Sequence, residues 1–139
     1  MGQFTHSIDE KGRANLPAKF RGGAPGEEFV ATRGLGRCLF LYPLAEWEKV
    51  LVRLERQKAR IDPRQRRIYL QLMEHTSDAS LDAQGRVTIP PHLAKHAGID
   101  KEVLFVGAGE VIEIWDPVTY RKYVAGAEKD FDDWMAKFL

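Results

Sequence analysis

Cysteine is nearly absent from this chain. Cys38 stands alone among 139 residues, which excludes an internal disulfide and suits a reducing compartment. Its place in the apolar run CLFLY predicts a buried structural thiol rather than a nucleophile. Long hydrophobic runs are lacking too. No stretch approaches the ~20 consecutive apolar residues of a membrane span, so no membrane partner is expected. The opening MGQFTHSIDEKG has no apolar segment of the secretory kind. Position 6 is His6, where a myristoylation signal needs Ser or Thr. A cytoplasmic protein is the expectation.

Catalytic and metal-binding patterns are equally scarce. His6, His75, His92 and His96 form no zinc spacing with Cys38, and neither HExxH nor paired cysteines occur. His92 and His96 lie four apart, so they share a helical face, but no further ligand stands near them in sequence. There is no GxSxG and no phosphate-binding loop; GLGR at 34–37 and GAGE at 107–110 read as hairpin turns. No carboxylate is isolated in apolar surroundings that would tune its pKa. The expectation is a non-enzyme with no cofactor and no metal.

What is present is a repeat. Residues 7–20, SIDEKGRANLPAKF, return 73 positions later as 80–93, SLDAQGRVTIPPHL. Ser7, Asp9, Gly12, Arg13 and Pro17 recur as Ser80, Asp82, Gly85, Arg86 and Pro90. Chance gives about one identity in so short a window, and a repeat redirects the whole fold argument. Each copy holds Asp-x-x-Gly-Arg. Asp opens a tight turn by accepting backbone N–H bonds, and Gly at its fourth position tolerates positive φ. A short strand is expected to follow and close a local hairpin, with Val87 and Ile89 inward. Pro91 sits where a helix begins and Gly98 where it stops; the first copy does the same more loosely, ended by Gly22 and Gly23.

A second hairpin follows in each copy, with strands near 29–32 and 38–42 and near 103–106 and 111–115. The offset of 73 is expected to persist to Tyr42 and Trp115. Pro43 and Pro117 then open helices over 44–60 and 117–138. In the first, Leu44, Trp47, Leu51, Leu54 and Lys58 share a face; a break is expected before Asp62-Pro63. Each copy is β–β–short α–β–β–α. The fold class is therefore α+β, a tandem pseudo-twofold repeat. The expected divisions are 1–53 for the first unit, 54–75 for a helical connector, 76–124 for the second unit and 125–139 for a C-terminal helix. A four-strand unit of ~50 residues is a weak core alone. Two copies packing together solve this, and leftover strand edges invite association between chains.

Charge is divided between the halves. Residues 1–70 carry 14 Lys and Arg against 8 Asp and Glu, whereas 71–139 carry 7 against 12, so a net +1 hides a +6 half and a −5 half. Such a dipolar protein can turn one face to a polyanion, although the basic run 53–67 also fits a solvated helix face. A tight turn needs the Asp and the Gly but not the arginine after them. Arginine's planar fork suits phosphate oxygens and the guanine edge, and paired rigid β-elements suit a DNA groove. Bracing of the turn by Asp9–Arg13 and Asp82–Arg86 ion pairs is compatible with that use. Lys11, Lys19 and Arg21 lie near Arg13 in sequence, and no cation follows Arg86 before Lys95. On that charge count the first motif is expected to dominate docking.

DEKGR at 9–13 and DAQGR at 82–86, each followed by Leu-Pro or Ile-Pro, resemble the MraZ family. LYPLAEWE at 41–48 and IEIWDP at 112–117 are similar to it in wording and position. The likeness covers nearly the whole chain. It implies the AbrB/SpoVT-like swapped-hairpin fold and a nucleoid-associated transcription regulator, mainly a repressor. Such a protein binds G-rich direct repeats in double-stranded DNA upstream of its own division and cell-wall operon, as a ring-shaped homo-oligomer. The resemblance carries DNA contact to Arg13, Arg86 and Lys11, and loop-holding to Asp9, Gly12, Asp82 and Gly85. Gln84 stands where the first copy has Lys11, which implies weaker phosphate contact by the second motif. An antitoxin-like protein-interaction module, a dimer gripping a partner through helices 44–60 and 117–138, is the competing class.

Overall fold

The computed structural model describes residues 2–21, 27–57 and 62–139. Both Asp-x-x-Gly segments form tight turns, but the strands beside them do not pair with each other. Strand β1 (Gln3–Ser7) runs antiparallel to β7 (Glu102–Ala108) of the other copy. Strand β2 (Arg13–Asn15) pairs with β6 (Arg86–Thr88), its counterpart in the repeat. The local hairpin expected from the turn residues alone is thus replaced by an exchange between copies, in keeping with the swapped-hairpin fold that the family resemblance implies. The reason is burial. An isolated pair of short strands is marginal in water, whereas the β2–β6 ribbon sets Ala14, Leu16, Val87 and Ile89 together in one core.

The remaining strands are β3 (Phe29–Arg33), β4 (Leu39–Pro43), β5 (Ser77–Asp78) and β8 (Val111–Trp115). They join β1 and β7 in one sheet of order β1-β7-β8-β4-β3-β5. Exchanging the copies reverses this order onto itself, so the pseudo-twofold runs between β8 and β4. Phe40 faces Glu113 across that seam, and Ala14 faces Val87 across the ribbon; each pair is 73 apart. The offset does not hold throughout. Phe29 and Ala31 share the core with Val103 and Phe105, which makes it 74 along β3 and β7. A slip of one residue would turn those side chains to the opposite face; the longer turn between β3 and β4 absorbs the difference.

The ribbon and α3 (Pro91–Ala97) cover one face of the sheet through Leu16, Ile89, Leu93 and Ala97. Pro91 opens α3, and Gly98 ends it in the left-handed region at φ 66°. The first copy has only a 3-10 turn there, Ala18–Phe20; Gly22 and Gly23 lie outside the described residues. On the other face Cys38, Leu104 and Trp115 form a smaller cluster with Phe40 and Tyr120.

Helix α1 (Leu44–Arg56) begins at the expected residue, with Pro43 as its cap. Trp47 is buried on its inner face and tilts against Tyr42; Lys58 lies outside the described residues. Asp62 caps α2 (Pro63–Glu74) by accepting the N–H groups of Arg64 and Gln65. The C-terminal helix is two helices, α4 (Pro117–Ala125) and α5 (Glu128–Ala136). Gly126 lies between them, and glycine is a poor helix interior. Among the described residues no helix is long and apolar enough to cross a membrane.

Candidate nucleic-acid interface

The two arginine loops are built alike. Asp9 Oδ1 accepts the backbone N–H groups of Lys11 (2.9 Å) and Arg13 (2.8 Å), and Oδ2 accepts Arg13 Nε at 2.8 Å. Asp82 repeats this with the N–H groups of Gln84 and Arg86, both 2.9 Å, and with Arg86 Nε at 2.8 Å. Gly12 and Gly85 turn the chain at φ 76° and 78°, values that L side chains avoid. Both carboxylates are held below the usual range, first by the backbone N–H of the arginine and then, against some desolvation, by its side chain. They stay ionised at neutral pH and keep each guanidinium aligned.

Each loop is also fastened by the opposite copy. Ile89 N–H donates to the Gly12 carbonyl at 2.8 Å, and Leu16 N–H donates to the Gly85 carbonyl at 3.1 Å. Arg86 Nη1 lies 4.0 Å from Asp9 Oδ2. All seven residues singled out in the sequence therefore fall on two adjoining loops. Exposed Lys11 projects from the first, and Gln84 from the second, near Arg86 Nη2 at 3.4 Å.

The ribbon register adds two residues that the sequence reading passed over. Asn15 stands opposite Arg86, and Thr88 opposite Arg13. Ala14 and Val87 point into the core, so strand alternation turns Arg13, Asn15, Arg86 and Thr88 to the outer face together. The signal was available: both polar residues lie between inward-facing apolar ones. What was missing was the pairing partner. This outer face offers donors and acceptors at the spacing of a two-stranded ribbon, the kind of element a major groove admits.

The charge count behind a dominant first motif fails on two residues. Lys19 Nζ lies beside Gly2, where a Cβ would stand 3.7 Å away, at the far end of β1 from Asp9. Arg21 lies on the second loop, not the first: a Cβ on Gly85 would be 2.7 Å from its Cζ. Sequence proximity misassigned both, because the exchange of strands carries the following turn across to the other copy.

The remaining chemistry-bearing groups stand apart. Cys38 is buried, donates to the Leu35 carbonyl at 3.2 Å, and burial, aided by Glu113, pushes its thiol up to about 12. His92 stacks on His75, and His96 Nε2 lies 3.1 Å from the Gly36 carbonyl. Among the described residues no cluster of His, Cys, Asp and Glu is arranged to hold a metal ion.

Comparison with known proteins agrees with this architecture. A family model described as "MraZ protein, putative antitoxin-like" matches residues 1–69 and 72–137, two segments that follow the two copies. The transcriptional regulator MraZ of Natranaerobius thermophilus is 41% identical over 133 residues, covering 96% of this chain and 92% of that protein. That of Limosilactobacillus fermentum is 38% identical over 138 residues, 99% of this chain and 95% of its own. That of Lachnoclostridium phytofermentans is 39% identical over 138 residues, 99% and 96%.

Proposed function

The chain belongs to the MraZ family, and from that premise we propose that it is a transcriptional regulator that binds double-stranded DNA sequence-specifically. It is not an enzyme. The observation that carries the DNA reading is the outer face of the β2–β6 ribbon, where Arg13 and Arg86 stand diagonally with Asn15 and Thr88 between them. In the groove Arg13 and Arg86 take guanine edges, Asn15 and Thr88 read neighbouring bases, and Lys11 holds phosphate. Asp9, Gly12, Asp82 and Gly85 keep the loops rigid, so little conformational freedom is lost on docking.

The protein acts in the cytoplasm on the nucleoid, as a repressor of its own division and cell-wall operon through G-rich direct repeats. It works as a ring of identical subunits, each offering one ribbon to one DNA box. Support for association comes from β1 and β5, which form the two edges of the sheet among the described residues, and from exposed Phe131, Trp134 and Phe138. Residues 1–53 and 76–124 serve as the two repeat units, 54–75 as their connector and 125–139, which holds α5, as the terminal segment. Mobility-shift titration against the region upstream of its own coding sequence tests the proposal; binding no tighter than to random duplex at moderate salt contradicts it.

A second reading has one observation in its favour. Helix α5 leaves Phe131 and Trp134 more than half exposed, Trp134 tilted against Phe138, a surface that an antitoxin-like module would use to grip a protein partner. Retention of DNA binding after Phe131→Ser and Trp134→Ser separates the two roles.

A further inference from the structure

Arg21 belongs to the first copy in sequence and to the second in space. Its Nε donates to the Leu16 carbonyl at 2.6 Å, and the Leu16 N–H donates to the Gly85 carbonyl. One residue thus ties the guanidinium to the second loop. A Cβ on Gly85 would stand 2.7 Å from both Cζ and Nη1 of Arg21, so the guanidinium lies against bare backbone beside Arg86. At the first loop, among the described residues, a Cβ on Gly12 would meet only the Ile89 carbonyl, at 3.2 Å, and the position 73 residues beyond Arg21 is Ala94.

The charges of the loops give this asymmetry a purpose. Along 9–13, Lys11 and Arg13 offset Asp9 and Glu10; along 82–86, Arg86 offsets Asp82, and Gln84 replaces the lysine. Without help the second loop offers a polyanion no cation beyond the arginine its own aspartate holds. Arg21 supplies one. With Nε fixed on a backbone carbonyl, its Nη groups are presented as donors from a rigid base, the geometry that suits a phosphate oxygen.

We infer that Arg21 is a phosphate-contacting residue of the second DNA-docking loop, lent by the first copy to fill the place that Lys11 fills in the first loop. The inference rests on the DNA-binding function proposed above. A phosphate contact positions the ribbon without reading sequence, so its loss weakens all duplexes alike and lowers the salt dependence.

The test compares the full chain with Arg21→Met, which keeps an apolar stem, and Arg21→Lys, which keeps the charge. Affinity is measured over a range of salt for a duplex carrying the upstream region and for a random duplex. Arg21→Met should reduce the slope of log K against log salt by about 0.9 per engaged subunit and weaken both duplexes by the same factor. Arg21→Lys should restore the slope. If Arg21 only braced the loop, melting would change and the slope would not; a wild-type slope in Arg21→Met overturns the inference. In the unaltered protein, saturating duplex should protect Arg21 from phenylglyoxal, as mapped by mass spectrometry, and equal modification with and without duplex overturns it as well. Failure of the unaltered protein to bind either duplex would overturn the DNA-binding function itself, whereas binding with an unchanged slope overturns this inference alone.

Discussion

The backbone N–H of Ile89 donates to the carbonyl of Gly12 at 2.8 Å, so the second copy holds shut the loop of the first. Leu16 and Gly85 make the reciprocal bond. Neither loop is a property of its own half of the chain. Each takes its turn geometry from a local Asp and Gly, and its position from a strand 73 residues away.

Gly12→Ala and Gly85→Ala should each destabilise the protein by about 1–2 kcal/mol, because both glycines occupy the left-handed region. Chemical denaturation measures this directly. The variants should part company in DNA binding, since only at Gly85 does the new methyl collide with Arg21. Gly85→Ala should bind random duplex less tightly than Gly12→Ala does.

Leu16→Ala should cost about 2–5 kcal/mol, since Leu16 is fully buried where the ribbon meets the sheet. Its loss opens a cavity under the end of β2 where Arg21 and Gly85 are also tied. The denaturation midpoint should fall, and phenylglyoxal should reach Arg21 faster.

The turns, the caps at Pro91 and Gly98 and the inward alternation of Val87 and Ile89 were legible in the sequence, because each rests on a few adjacent residues. The exchange of strands was not legible from local signals. A tight turn such as Asp9–Gly12 is compatible with pairing to the next strand or to a distant equivalent; the choice depends on the core formed by Ala14, Leu16, Val87 and Ile89. Asn15 and Thr88 were missed, and Arg21 was assigned to the wrong loop, for the same reason. Their significance depends on what lies opposite them, which a one-dimensional charge count cannot supply.

The Asp9 and Asp82 carboxylates fix the expected acid response. Both are depressed in the folded protein, first by the backbone N–H of Arg13 or Arg86. Their contribution is therefore fully present above the ordinary carboxylate value of 3.8 and is lost as pH falls through the lower folded value. Stability from these groups should be flat from pH 5 to 8 and should decline in the acid limb. Asp9→Asn with Asp82→Asn should lose that decline, as followed by thermal melting from pH 7 to 2.

Cys38 should be unreactive toward a disulfide reagent in the folded protein and react on unfolding. Its thiol is raised from 9.0 to about 12 by burial, so the folded state holds the proton more tightly. Stability from this group is complete below pH 9 and falls as pH rises through the folded value. Cys38→Ala should remove that alkaline decline.

Binding of Arg13→Ala, Arg86→Ala and the double variant to the upstream duplex tests the central claim most directly, with melting and oligomer size followed alongside. Each single variant should lose about 1–3 kcal/mol per engaged contact, with comparable losses because Arg21 and Lys11 serve one loop each. The double variant should bind the upstream duplex no better than random DNA while remaining folded. A folded double variant that still prefers the upstream duplex as strongly as the unaltered protein would contradict the account.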